Sequence, residues 1–355
     1  MVLGLGSLVS GPFNEGDQVA GAPAEQNVFS SSDRTKPRSL GAQCLLALHP
    51  APDGANIKGE RLAYKHSAPP EQSGNSLIID SHQHFWQVGR FDYPWMSSDL
   101  GVLYQDYLPP VLEPILKANG VEKTVLVQAS NSIAESNWLL ELSDQFPFIA
   151  GVVGWVDLMN TNVADQINEL ARHSQFKGVR HLVESEPDDD WLAQPAVLRG
   201  LNELARHGLS YDLLVHTRHL RHVRTVVERC PDLQFVIDHM AKPPIASGEV
   251  ADWAHQFQPL AEFSNIKCKL SGLVTEAKWN SWSTDDLRPY IDCSLDSFGP
   301  ERLMFGSDHP VCLLASSYER VLDSFQEALK DLTDAEQAMI FSENAKKFYR
   351  LEPDS

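Results

Sequence analysis

From Leu77 to the C-terminus one pattern recurs eight times: a short apolar run, then a segment whose apolar residues fall at helical spacing. The runs are Leu77–Phe85, Glu122–Ala129, Ile149–Val156, Gly178–Val183, Ser210–His216, Gln234–His239, Ile266–Leu270 and Leu303–Ser307. Apolar residues at successive positions suit parallel strands covered on both faces. Between them, Val163, Ile167, Leu170 and Ala171 share one helical face. So do Leu198, Leu201 and Ala205, then Leu220, Val223 and Val227, then Leu322, Phe325 and Leu329. Gly120 and Gly208 each close a helical pattern directly before a strand, the place of a C-terminal cap. Eight strand–helix units in about 280 residues, with no internal repeat, predict an α/β fold of the closed (β/α)₈ TIM-barrel type. An open doubly wound sheet would be expected to carry a glycine-rich turn after its first strand, and Asp80-Ser81-His82-Gln83-His84 has none.

Residues 1–76 lack this pattern. They are rich in Gly, Pro, Ser, Ala and Gln, and are read as a disordered extension preceding a barrel over 77–355. Within the extension, Cys44–Leu48 is either a short ordered patch or part of a spacer. The five cysteines are widely spaced and never in a C-x-x-C arrangement, so reduced thiols in a cytoplasmic protein are expected rather than a disulfide framework. No apolar run approaches the ~18 residues of a membrane span. The first residues carry no base ahead of Arg34, and Glu15, Asp17 and Glu25 lie where a transit peptide avoids acids, so no leader is read. A net charge of −19 repels phosphate backbones and anionic lipid, which disfavours nucleic-acid and membrane partners and says little about a small neutral one.

Polar residues recur where the strands end, the face on which barrel enzymes carry their chemistry. The first strand finishes in His82-Gln83-His84. In extended chain, residues two apart point the same way, so both imidazoles can converge on one ion, zinc being well suited. The alternative is two histidines satisfied by local hydrogen bonds. The fifth strand ends at His216, the sixth at His239, and the eighth in Gly306-Ser307-Asp308-His309-Pro310. So many titratable groups on one rim point to a catalytic site.

The stretches IDSHQHFW, FDYPWM, GVRHLVESEPDDDW, FVIDHMAKPPI, KLSGLVTEAKW and MFGSDHPV resemble, in order, the motifs of the amidohydrolase-related group within the amidohydrolase superfamily. That group includes sugar-acid lactonases and pyrone-dicarboxylate lactonase. The resemblance runs from about Leu77 to the C-terminus and leaves out the extension. It implies a hydrolase that opens a cyclic ester, an aldonolactone such as fuconolactone or rhamnonolactone. Asp308 would be the base for the hydrolytic water, with His82 and His84 beside it. Arg180 and His181 would face the substrate and His239 would move a proton. For Arg180 the alternative is a rim salt bridge to Glu184 or Glu186. Lys242 is read as a surface lysine and His222 as an exposed helix residue. Trp86, Trp95, Trp279 and Trp282 either stack on a substrate ring or pack over the barrel mouth, and Thr275 and Glu276 could add hydrogen bonds.

Two departures from the wider superfamily narrow the expectation. No lysine follows Lys177 on the fourth strand, where many members place a carboxylated lysine, so at most one divalent ion is expected, and some relatives resemble a metal-free design. After the fifth strand the histidine can stand three residues later, where this chain has His219. His216 as a ligand, His219 as a substrate contact, and either as a surface residue all remain open. The rival activities are a metal-dependent decarboxylase of a carboxylic acid and a catalytically silent barrel that binds a sugar acid.

Overall fold

The computed structural model describes residues 77–351. The proposed extension and its Cys44–Leu48 patch lie outside the described residues. Eight parallel strands follow one another in sequence order: β1 Ile78–Gln83, β2 Val121–Val127, β3 Ile149–Gly154, β4 Phe176–His181, β5 Ser210–Leu213, β6 Gln234–Ile237, β7 Ile266–Leu270 and β8 Leu303–Phe305. The circle closes where His84 N–H donates to His309 O at 2.7 Å and Asp308 N–H to His82 O at 2.8 Å. These closing bonds hold the segments that carry His84 and Asp308 side by side.

All eight expected strands are present, several ending sooner than their apolar runs. Chain beyond Leu213, Ile237 and Phe305 leaves the ladder, so Leu214–His216, Asp238–His239 and Gly306–Ser307 turn outward as loop. Hydropathy cannot mark that point, because the loop starts are buried as well. Helices cover the outside through the expected faces, except that Ala171 lies past the end of its helix and is exposed. Val163, Ile167 and Leu170 are buried, as are Leu220, Val223 and Val227, and Leu322, Phe325 and Leu329. On Pro195–Arg206 the face is turned by one residue: Val197, Leu201 and Leu204 are buried, whereas Leu198 and Ala205 are only partly so. Gly120 and Gly208 have φ of 67° and 66°, the left-handed conformation of a helix C-cap.

The described cysteines, Cys230, Cys268, Cys293 and Cys312, are buried thiols. Among the described residues no helix is long and apolar enough to cross a membrane.

Candidate active site

The H-x-H spacing, with His82 in β1 and His84 directly after it, brings both imidazoles to one place, their Nε2 atoms 3.2 Å apart. His84 Nδ1 lies 2.7 Å from the carbonyl of Val127 and can only donate to it, which leaves Nε2 as a lone pair. His82 Nε2 lies 3.3 Å from Arg180 Nη1, and its Nδ1 lies between the Lys269 ammonium at 3.1 Å and Asp238 Oδ1 at 3.3 Å, so cationic donors approach both ring nitrogens. Burial holds both histidines below the ordinary imidazole pKa. For His82 the Lys269 ammonium adds to that depression.

Asp308 completes the set. Its Oδ1 lies 3.4 Å from His84 Nε2 and 3.9 Å from both His82 Nε2 and His239 Nε2. Burial works to raise its pKa, but His239, His84 and His82 outweigh it and hold the carboxyl below the usual carboxylate range, ionised at neutral pH. Asp308 has φ of 59°, a left-handed conformation that a non-glycine residue adopts at a cost and that recurs at functional sites. Asp80 fixes the joint beneath it, accepting from Ser307 N–H at 2.9 Å, His82 N–H at 3.1 Å and the Tyr318 hydroxyl at 3.0 Å.

His239 follows β6, with Nδ1 2.9 Å from Ser271 Oγ. Its ring lies over Gly272, where an added Cβ would stand 2.4 Å from Nδ1, so only glycine leaves room for it. Burial lowers its pKa as well.

Among the described residues, two groups have ligand atoms within 4.8 Å of one another: His82, His84 and Asp308, and His82, Asp238 and His239. Metal–ligand bonds of about 2.0–2.2 Å set ligand edges of roughly 3.3 Å around a tetrahedral ion. The first group, with edges of 3.2, 3.4 and 3.9 Å, fits one divalent ion of the zinc type. Lys177, the lysine of β4, lies at the opposite end of the strand and donates to Arg350 O, so β4 offers no bridging ligand.

Below the rim lies a buried charged network. The Lys269 ammonium on β7 touches Asp212 of β5 at 2.5 Å, Asp238 at 3.0 Å and His82 Nδ1 at 3.1 Å, and the Tyr349 hydroxyl donates to Asp212 at 2.7 Å. Arg180, one residue before the end of β4, lies within 3.4 Å of Asp238 and also donates to the Gln128 carbonyl, while its Nε has no partner. The expected alternative for Arg180, a bridge to Glu184 or Glu186, is not formed. The sequence reading missed Lys269, Asp212 and Asp238. A charge inside a strand that must be covered on both faces was the available signal.

A cavity of about 250 Å³ opens above these groups. His84, His239, Asp308, Arg180, Lys242 and Thr275 form part of its wall. The apolar side is Trp86, Trp95, Leu100, Leu103, Val311 and Leu314. Trp86 and Trp95 are fixed by indole bonds to Gln105 O at 2.9 Å and Ala129 O at 2.8 Å.

Other expected contacts point elsewhere. His181 accepts from Trp155 Nε1 at 2.9 Å, so its Nε2–H donates to Glu186 at 2.6 Å, and its ring stacks on Trp191 at 3.9 Å. His219 Nδ1 accepts from His216 N–H at 3.0 Å, and its Nε2 faces Asp189 at 3.1 Å. His216 stands at the rim, 3.7 Å from Glu184. None of the three lines the cavity. His222 is half-buried against Asp190 at 2.9 Å. Trp282 packs under Arg320, Trp279 is exposed, and neither lines the cavity.

The amidohydrolase family profile covers residues 79–351, and the chain belongs to that family. It is 39% identical over 289 residues to an L-fucono-1,5-lactonase of Burkholderia ambifaria, covering 78% of this chain and 97% of that protein. A second L-fucono-1,5-lactonase, of Burkholderia multivorans, is 39% identical over 287 residues, covering 78% of this chain and 97% of that protein. A crystal structure of an amidohydrolase from Burkholderia multivorans with bound zinc superposes with a TM-score of 0.75 at 38% identity, covering 78% of this chain and 100% of that one.

Proposed function

We propose that this protein hydrolyses the lactone of a sugar acid, an aldonolactone of the L-fuconolactone type. The observation that carries the reading is the buried Asp308 carboxyl in the cavity wall, with three imidazole Nε2 atoms within 3.9 Å of it. Its lactonase relatives in Burkholderia support the substrate class. At about 250 Å³ the cavity is smaller than the roughly 300–1,000 Å³ typical of drug-sized sites, which suits a single sugar ring. The aromatic and aliphatic wall suits the methyl-bearing face of a deoxysugar.

Asp308 takes a proton from water as the oxygen attacks the ring carbonyl. The Arg180 guanidinium, in the cavity wall, offers donors to the carbonyl oxygen as it gains charge. His239, with Nδ1 held on Ser271, presents Nε2 towards the same point and steadies the protonated aspartic acid. Collapse of the tetrahedral intermediate breaks the bond from carbonyl carbon to ring oxygen. The proton held at Asp308 then passes to that oxygen, giving the open hydroxy acid. One divalent ion held by His82, His84 and Asp308 would supply Lewis-acid polarisation and a more acidic water.

Proton release from a panel of aldonolactones, followed with a pH indicator with and without chelator, tests the reading. Turnover of 1,5-lactones is expected. Release of CO₂ from carboxylic acids with no lactone opening would replace it with the decarboxylase reading. Sugar-acid binding without turnover would replace it with the silent-barrel reading.

A further inference from the structure

Lys242 does not behave as a surface lysine. It ends four consecutive left-handed residues, His239, Met240, Ala241 and Lys242, with φ of 52°, 53°, 59° and 51°. Each such non-glycine residue costs on the order of 1 kcal/mol or more, and runs of them persist only where the surroundings impose them. The turn sets the Lys242 ammonium in the cavity wall, 2.5 Å from Glu184 Oε2, with both side chains about four-fifths buried. Glu184 comes from the loop after β4, so two separate loops converge to make the pair. Its carboxylate also faces His216 at 3.7 Å. Burial works to raise the Glu184 pKa, and Lys242 and His216 outweigh it, keeping it charged. Thr275 adds a hydroxyl to the same wall.

A largely buried ion pair whose partners both line a small cavity offers one strong donor and one strong acceptor side by side, in a cavity that also has aromatic lining. Adjacent hydroxyls on a sugar ring present the complementary pair, since each can accept from an ammonium and donate to a carboxylate. We infer that Lys242 and Glu184 form a hydroxyl clamp that selects lactones bearing a vicinal diol over lactones without one. The inference rests on the lactonase reading for its substrate and adds specificity-determining residues to it. Lys242 takes no part in the proton transfers at Asp308.

The test compares an aldono-1,5-lactone with δ-valerolactone, the same ring without hydroxyls, on the full chain. In Lys242→Met and in Glu184→Gln the ratio of kcat/KM for the hydroxylated lactone over the bare one is expected to fall about ten- to hundredfold, mostly through KM, as loss of one charge-assisted hydrogen bond predicts. Lys242→Arg, which keeps a cation, is expected to retain more of the ratio. Titration calorimetry with an open-chain aldonate reads the same clamp without turnover, and both variants should bind it more weakly. If the wild type opens no lactone yet aldonate binding falls in both variants, the reaction is misassigned and the clamp stands. If the wild type opens lactones and the variants keep the ratio, or lose both substrates equally with a lowered melting temperature, the clamp is overturned and the reaction stands. A wild type that binds no aldonate also overturns the clamp.

Discussion

The ends of β1 and β5 each carry two histidines, and the two pairs do opposite things. His82 lies in β1 and His84 directly follows it, still tied to the barrel by its N–H bond to His309 O, and their Nε2 atoms meet. His216 and His219 are spaced by three beyond a strand that has already ended at Leu213. There the chain turns, His219 folds back to accept from His216 N–H, and its ring seals a loop instead of facing the cavity. The lesson is that backbone conformation decides whether two side chains can share a target: period two works only while the strand lasts.

The strongest way to break this comparison is at Asp308, which gives the β1 pair its third partner. Asp308→Asn keeps the shape and removes the base, and kcat is expected to fall about 10²- to 10⁴-fold with little change in melting temperature. A variant that turns over lactone near the wild-type rate would end the catalytic assignment. If instead the melting temperature drops while kcat holds, Asp308 is a structural cap.

Lys269 lies beneath both ends, paired with Asp212 of β5 and beside His82 of β1. Lys269→Met leaves Asp212 and Asp238 buried without their shared cation, and breaking a buried pair from one side costs about 3–5 kcal/mol. Chemical denaturation should show that loss. A variant as stable as the wild type would mean that the two carboxyls take up protons instead, which a stability profile against pH would display.

Smaller and more selective is the effect of the histidines on metal. Elemental analysis of the purified protein should find at most one divalent ion per chain, less of it in His84→Ala, and no change in His219→Ala. Two tightly held ions per chain would contradict the ligand set proposed here.

His219→Ala sharpens the contrast from the other side. Loss of a loop-capping acceptor is expected to cost about 1 kcal/mol of stability, with kcat per folded molecule preserved. A large fall in kcat without destabilisation would return His219 to the reaction. The smallest effect is expected from the extension. A chain starting at Gly74 retains every described element and the whole family match, which begins at residue 79, so melting temperature and turnover should stay close to those of the full chain.

Much of this was legible before any coordinates. Apolar runs and amphipathic intervals carry local information, since a strand covered on both faces and a helix covered on one each leave a pattern in consecutive residues. His82, His84, His239 and Asp308 stood out because a titratable group directly after such a run has few places to go except the barrel mouth. Lys242 and Lys269 were misjudged or missed for the opposite reason. Lys242 directly precedes the Pro243-Pro244 turn, which reads as surface, and only its left-handed backbone brings it inward. Lys269 sits in a strand whose neighbours are apolar, and its partners lie 31, 57 and 187 residues away in the chain, at Asp238, Asp212 and His82.

The sequence by itself determined the eight strand–helix cycles, the barrel they close into, and the strand ends that hold the chemistry, because these follow from hydropathy period and from residue types at the ends of runs. Only the tertiary structure decided which histidines converge, that Arg180 pairs with Asp238 and not with Glu184 or Glu186, and that Lys242 and Glu184 meet in the cavity wall. Those outcomes depend on distances between residues far apart in the chain and on the turns where each strand stops. Burial then makes every such pairing matter, since a charge removed from water must find its partner wherever the fold puts one.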